Sequence, residues 1–177
     1  TTLRGKGYAL NAGIRWLEQQ PQQPQAVVVV DADCRVDPYT VELLSRVTTT
    51  HDTPAQCLNL CEAEHGAAGI HAVSNLGFRF KNLVRPSGLA RLGLPCLLTG
   101  TGMAFHWALI RHAPLDTGEL AEDMHLGIDL AIRGTAAIYC PEVRVVSALP
   151  RQDHAFVSQR TRWEQGHLRT MLRLAPR

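Results

Sequence analysis

Asp31-Ala32-Asp33 sets two carboxylates one residue apart, directly after the apolar run of residues 27–30. Acids that close repel each other unless a cation lies between them, and a hard divalent ion held this way keeps positions free for the oxygens of a phosphorylated substrate. Glu122-Asp123 is a second acidic pair. In a cleft, one of its carboxylates would take a proton from an attacking hydroxyl; at a helix start it would only complement the helix dipole, worth roughly 0.3–1 kcal/mol. Gln159-Arg160-Thr161-Arg162-Trp163 joins amide, guanidinium and indole. Arg162 suits a bidentate grip on a diphosphate, and the face of Trp163 suits a sugar ring. Arg4-Gly5-Lys6-Gly7 precedes a helical pattern and could hold an anion through Lys6 and backbone N–H groups, without the spacing of a phosphate-binding P-loop or a dinucleotide fingerprint. Each motif also has a plain structural explanation: turn acids after a strand, helix-end electrostatics, a surface helix docked through Trp163, a flexible segment.

Positioning such groups requires elements that deliver them to one place. Val27, Val28, Val29 and Val30 read as a buried strand over 26–30 whose end carries the two acids, where ligands sit in open α/β sheets. Leu10, Ile14 and Leu17 share one helical face ahead of the glutamine- and proline-containing loop 19–25. Pro38 is expected to open a helix through Leu43, Leu44 and Val47; residues 55–61 read as a strand, and 74–85 as a helix ended by Pro86-Ser87-Gly88. An apolar stretch at 97–105 surrounds Gly100-Thr101-Gly102. A helix is expected over about 120–133 with Gly134 as its stop, then strands at 136–139 and 143–146 flanking Pro141, and a final arginine-bearing helix from Phe156. The alternation is that of an α/β protein.

The 177 residues carry 45% hydrophobic and 19% charged side chains, which excludes a largely disordered chain and fits a single domain. Net charge is only +2, but Arg160, Arg162, Arg169, Arg173 and Arg177 crowd the C-terminal end, a basic face for phosphate or an anionic membrane surface. They lack interleaved stacking aromatics beyond Trp163, so no nucleic-acid partner is expected. No stretch is apolar enough to span a bilayer, and no secretory signal is visible. Five cysteines without a CxxC pair argue against a disulfide framework and for a reducing compartment. Cys57, Cys61 and His65 do not make a zinc site if 55–61 is a strand, because the sulfurs would then lie roughly 13 Å apart. The DxDxxxD spacing completed by Asp37 fails as a calcium loop, since Val36 stands at the glycine position, and Arg35 disfavours a phosphatase-type motif.

In order, Gly5-Lys6-Gly7-Tyr8-Ala9-Leu10-Asn11, Asp31-Ala32-Asp33, Leu98-Thr99-Gly100-Thr101-Gly102, Glu122-Asp123 and Gln159-x-x-Arg162-Trp163 resemble the family-two inverting glycosyltransferases, especially the membrane-embedded branch of cellulose, chitin and hyaluronan synthases. The series spans nearly the whole chain and is far more specific than any single motif. The resemblance implies the GT-A fold, a three-layer α/β/α sandwich, here lacking its N-terminal strand-helix-strand. It divides the chain into a partial catalytic domain over 1–155 and a QxxRW segment with an amphipathic interfacial helix over 156–177. It implies that Asp31 and Asp33 hold Mg2+ or Mn2+ against the donor diphosphate. Asp123 is then the general base, with Glu122 beside it, and Lys6, Gln159 and Arg162 bind the nucleotide diphosphate. Trp163 and Gly100, Thr101 and Gly102 would line the acceptor path.

The implied reaction is transfer of a sugar from a nucleotide-diphosphate donor, a UDP-sugar, to the hydroxyl of a carbohydrate or lipid acceptor, with inversion, in polysaccharide or glycolipid synthesis. The implied location is the cytoplasmic face of the plasma membrane, reached through segments outside this chain, and the isolated 177 residues are expected to turn over little. The competing reading is a carbohydrate- or nucleotide-binding domain that keeps the fold without catalysis. Retention of both Asp33 and Asp123 speaks against it, because a pure binding module has no use for a base.

Overall fold

A computed structural model describes residues 5–62, 69–116, 121–148 and 153–174, with side chains of the last segment described over 157–173. Arg4, His65, Leu120, Arg177 and the side chains of His154 and Phe156 lie outside the described residues. In chain order the elements are α1 (Lys6–Glu18), β1 (Ala26–Val29), β2 (Arg35–Val36), α2 (Thr40–His51), β3 (Ala55–Glu62), α3 (Ile70–Arg79), a π-helical turn (Phe80–Val84), α4 (Arg85–Arg91), β4 (Met103–His106), α5 (Trp107–Ile110), α6 (Glu122–Ile132), β5 (Ile138–Ala148) and α7 (Asp153–Leu174).

Side-chain alternation along the strands sorts the core into two clusters. β1 pairs antiparallel with β4, and Val27, Val29, Met103 and Phe105 turn to one face of the sheet, where Leu10, Ile14 and Leu17 of α1 meet Leu126 and Leu130 of α6. Val28 and Ala104 turn to the other face and pack with Leu43, Leu44 and Val47 of α2, together with Cys57 and Val145. Helices therefore cover both faces of a five-stranded sheet of order β1-β4-β3-β5-β2, a GT-A-like α/β fold. β3 and β5 run parallel at its centre, and the other pairs are antiparallel. The five cysteines are free thiols, four of them buried.

Four local expectations are corrected. Pro86 does not end a helix; helical backbone continues from Ile70 to Arg91 through the π turn, and the Asn82 carbonyl, four residues before the proline that has no N–H to offer it, accepts from the Tyr139 hydroxyl at 2.9 Å. α2 opens at Thr40 instead of Pro38, after Tyr39 with φ 66°. The two strands expected around Pro141 are one, β5, whose register against β3 jumps between Cys57↔Cys140 and Leu58↔Arg144. This bulge takes up the proline that cannot donate to the ladder. The final helix starts at Asp153, ahead of Phe156.

Candidate active site

β1 ends at Val29, and the next residues leave the sheet into a turn closed by the Cys34 N–H donating to the Asp31 carbonyl at 3.0 Å. Asp31 is anchored twice. Its N–H donates to Thr101 Oγ1 at 3.0 Å, and its carboxylate accepts from Lys6 Nζ at the start of α1. Lys6 also donates to the Gly100 carbonyl at 2.6 Å, so one ammonium ties α1, the β1 turn and the 99–102 loop together. Gly7 lets α1 approach this closely: a methyl there would collide with the Leu115 carbonyl oxygen.

The 99–102 loop is built by a residue that the motif search passed over. Gln56 of β3 is 2% exposed; its Nε2 donates to the carbonyls of Cys57, Thr101 and Gly102 at 2.9, 3.0 and 3.3 Å, and its Oε1 accepts from the Thr99 N–H at 2.9 Å. Asn59 adds a hydrogen bond to Thr99 Oγ1 at 3.1 Å. Gly100, at φ 85°, is where the two poles converge, since a methyl on it would sit 3.2 Å from Asp123 Oδ2 and 3.6 Å from Lys6 Nζ. Gly102 has a different place from the one expected. It faces Cys57 and Val145 in the core, whereas Gly100 and Thr101 line the cleft.

Glu122 and Asp123 open α6 behind Ala121, which supplies no side-chain cap. Burial pushes the Asp123 carboxyl above the usual carboxylate range, opposed by the Met124 backbone N–H and by Lys6, Lys81 and His167. Glu122 is also raised, chiefly by burial and further by Asp123. A carboxylate held in this way is a stronger proton acceptor than one in water.

The opposite wall is α7 laid along α3 and the π turn. Arg160 donates to the buried Ser74 Oγ at 2.6 Å, Trp163 packs on Phe78 with ring centroids 6.2 Å apart, and Lys81 Nζ lies 3.1 Å from His167 Nε2. The pairs 74 with 160, 78 with 163 and 81 with 167 ascend together, so the two helices run side by side in the same direction. Burial lowers Lys81, an effect Asp123 opposes and Arg85 reinforces. Burial, then Lys81, lowers His167. Neither residue belongs to a motif; a lysine and a histidine far apart in sequence gave no signal until the helices were side by side.

Between these walls lies a cavity of about 440 Å³ lined by Lys6, Asp31, Asp33, Gly100, Thr101, Glu122, Asp123, Gln159, Arg162 and Trp163, with Phe78, Lys81 and His167. A family model described as glycosyltransferase-like family 2 matches residues 1–166. The chain belongs to that family. A search of curated proteins returns no match. As a family-2 glycosyltransferase domain it transfers a sugar from a nucleotide-sugar donor to an acceptor, and the cavity is the place in the described structure that gathers acids, cations and an aromatic platform.

Asp31 and Asp33 are the two carboxylates of the glycosyltransferase that would be open to a divalent ion at the cleft. Asp33 is exposed at the cleft and Asp31 half-exposed, while no group of three or more His, Cys, Asp or Glu suited to a metal occurs among the described residues. Two acids with the remaining positions left to substrate oxygens is the donor set of Mg2+ or Mn2+ on a diphosphate, and not that of a closed structural site.

Proposed function

We propose that this glycosyltransferase moves a hexose from a UDP-sugar to the hydroxyl of a carbohydrate or lipid acceptor by a single displacement that inverts the anomeric centre. The observation that carries the reading is the cavity holding Lys6, Asp31, Asp33, Asp123, Gln159, Arg162 and Trp163 on walls from opposite ends of the chain. Asp31 and Asp33 would hold Mg2+ or Mn2+, which when bound neutralises diphosphate charge. Arg162, Gln159 and Lys6 bind the diphosphate, the guanidinium by paired hydrogen bonds that strengthen as charge develops on the leaving group. Trp163, backed by Phe78, offers its face to the acceptor sugar, and Asp123 takes the proton of the attacking hydroxyl. Glu122 stands beside Asp123, and burial, with the neighbouring Asp123 charge, raises its own pKa.

The test is calorimetric titration of UDP-glucose and UDP-N-acetylglucosamine with and without Mn2+, alongside Asp33→Ala, followed by an assay of sugar transfer. Binding is expected to require the metal and to fall at least about tenfold in the variant, a loss of roughly 1.4 kcal/mol or more. Metal-independent binding that Asp33→Ala leaves unchanged would overturn the metal assignment. Donor binding unaffected by Asp123→Asn, with no transfer by the parent, would establish a binding domain instead.

A further inference from the structure

Trp163 and His167 stand four residues apart on α7, about 6 Å along its axis, and their partners across the contact, Phe78 and Lys81, keep the same order. One helical turn beyond the aromatic platform of the cleft, the wall therefore presents two basic side chains. Lys81 Nζ lies 3.1 Å from His167 Nε2; an ammonium can only donate, so the ring nitrogen accepts one of its three N–H bonds and two are left. Both side chains line the cavity.

Among the described residues, Lys81 is half-buried and forms no ion pair. Residues 65–115, which carry it and Arg85, contain no aspartate or glutamate. The small cavity on its far side is bordered by Arg85, Asn82 and Tyr139, and by no acid among the described residues. Glu164 of α7 acts on Lys81 only from a distance and lies 3.9 Å from Arg160. Asp123 acts on both Lys81 and His167 across the cavity without an ion pair to either. Cations withdrawn from water are ordinarily paired, and this one has its free N–H bonds at a cavity wall. The donor diphosphate is not the anion that fits it. The charges acting on Lys81 are Asp123, Arg85 and Glu164, with neither Asp31 nor Asp33 among them, whereas Lys6 holds Asp31 directly. Lys81 thus stands on the side of the base and not on that of the metal acids.

We propose that the acceptor is an acidic saccharide whose ring lies on Trp163, whose carboxylate or phosphate is received by Lys81 and His167, and whose attacking hydroxyl is thereby turned to Asp123. The inference rests on the transfer reading and narrows the acceptor class within it. An anionic substituent takes the free N–H bonds of Lys81 as charge-assisted hydrogen bonds, which a neutral sugar on the same platform cannot match.

The experiment is calorimetric titration of the full chain, with UDP and Mn2+ present to fill the diphosphate site, using methyl β-glucoside, methyl β-glucuronide, glucose 6-phosphate and inorganic phosphate. At least one acidic sugar is expected to bind at least about tenfold tighter than the glucoside, and which of the two does so tells carboxylate from phosphate. Lys81→Met should bring that sugar down to the level of the glucoside, and Lys81→Arg should keep most of the preference. His167→Gln should lower it part of the way, and stands in if circular dichroism melting shows Lys81→Met unfolded. Trp163→Ala should weaken neutral and acidic sugars alike. The proposal is overturned if neither acidic sugar exceeds the glucoside, if inorganic phosphate matches the preferred sugar, or if folded Lys81 and His167 variants keep the preference. It is also overturned if Lys81→Met weakens UDP as much as the acidic sugar, which would give Lys81 to the donor. Failure of UDP-glucose and UDP-N-acetylglucosamine to bind would overturn the transfer reading instead, and the same sugars titrated without UDP would still test the pair.

Discussion

Asp123 is held between opposing demands. Its cavity strips water from the carboxylate, and its folded-state pKa is raised by that burial despite Lys6, Lys81 and His167 nearby. The stability it contributes is therefore fully present below the unfolded pKa and is lost as pH rises through the folded one. Asp123→Asn removes the charge, so at neutral pH the variant should melt higher than the parent while transfer falls by about 10²–10⁴-fold. Thermal melts at pH 4 and pH 7 check the first part: the gain should shrink or vanish at the lower pH. Lys81→Met deletes a cation that favours the ionised base, so Asp123 should titrate higher and the acidic limb of the transfer–pH profile should move up. An unmoved limb would show that Lys81 does not reach the base electrostatically. Asp31, Asp33, Asp123 and Arg162 were legible in the sequence because their chemical types and neighbours are themselves the signal. Lys81 and His167 were not, because only the parallel packing of two helices gives them a shared purpose.

Elements were legible where periodicity dominates and illegible where backbone chemistry is local. α1, β1, α2, β3 and α6 follow from the spacing of Leu10, Ile14, the valine run, Leu44 and Leu126. β2 is only Arg35–Val36, both exposed, so no hydrophobic pattern marks it; its partner β5 alone makes it a strand. Pro86 and Pro141 read as breaks, yet one lies within continuing helical backbone and the other in a bulge. The least legible device is Gln56, a polar residue whose alternation in β3 suggests nothing special until its amide is seen to bracket the 99–102 loop. Gln56→Leu keeps the volume and leaves the Thr99 N–H and the loop carbonyls short of partners, at about 1–3 kcal/mol for each group left unsatisfied. The expected result is a lower melting temperature together with weaker donor binding, because Gly100 no longer presents its carbonyl to Lys6. Equal loss of stability with unaltered affinity would mean that the loop is not needed for the donor.

At the scale of the molecule, the sheet is shared by two apolar clusters, so neither face can loosen without the strands between them. Gly102→Ala tests this at the centre: at φ 62°, with its methyl directed at Cys57 and 3.0 Å from Val145 Cγ2, it should cost about 2–4 kcal/mol. Unfolding should stay a single transition, with donor binding lost along the same curve. Two transitions, or a cleft that outlives the core, would contradict a shared sheet. The α/β class was readable from the alternation and the three-layer order from the family resemblance, whereas the antiparallel insertion of β4 between β1 and β3 was not, because strand neighbours distant in sequence leave no mark in a single chain. The ascending pairs that bind α7 to α3 and the π turn also bear on how the protein is made. A ribosome delivers Lys6 and Asp31 long before Arg162, Trp163 and His167, so a growing chain has one wall of the cleft well ahead of the wall that faces it. Until α7 emerges, the cleft stands open on that side.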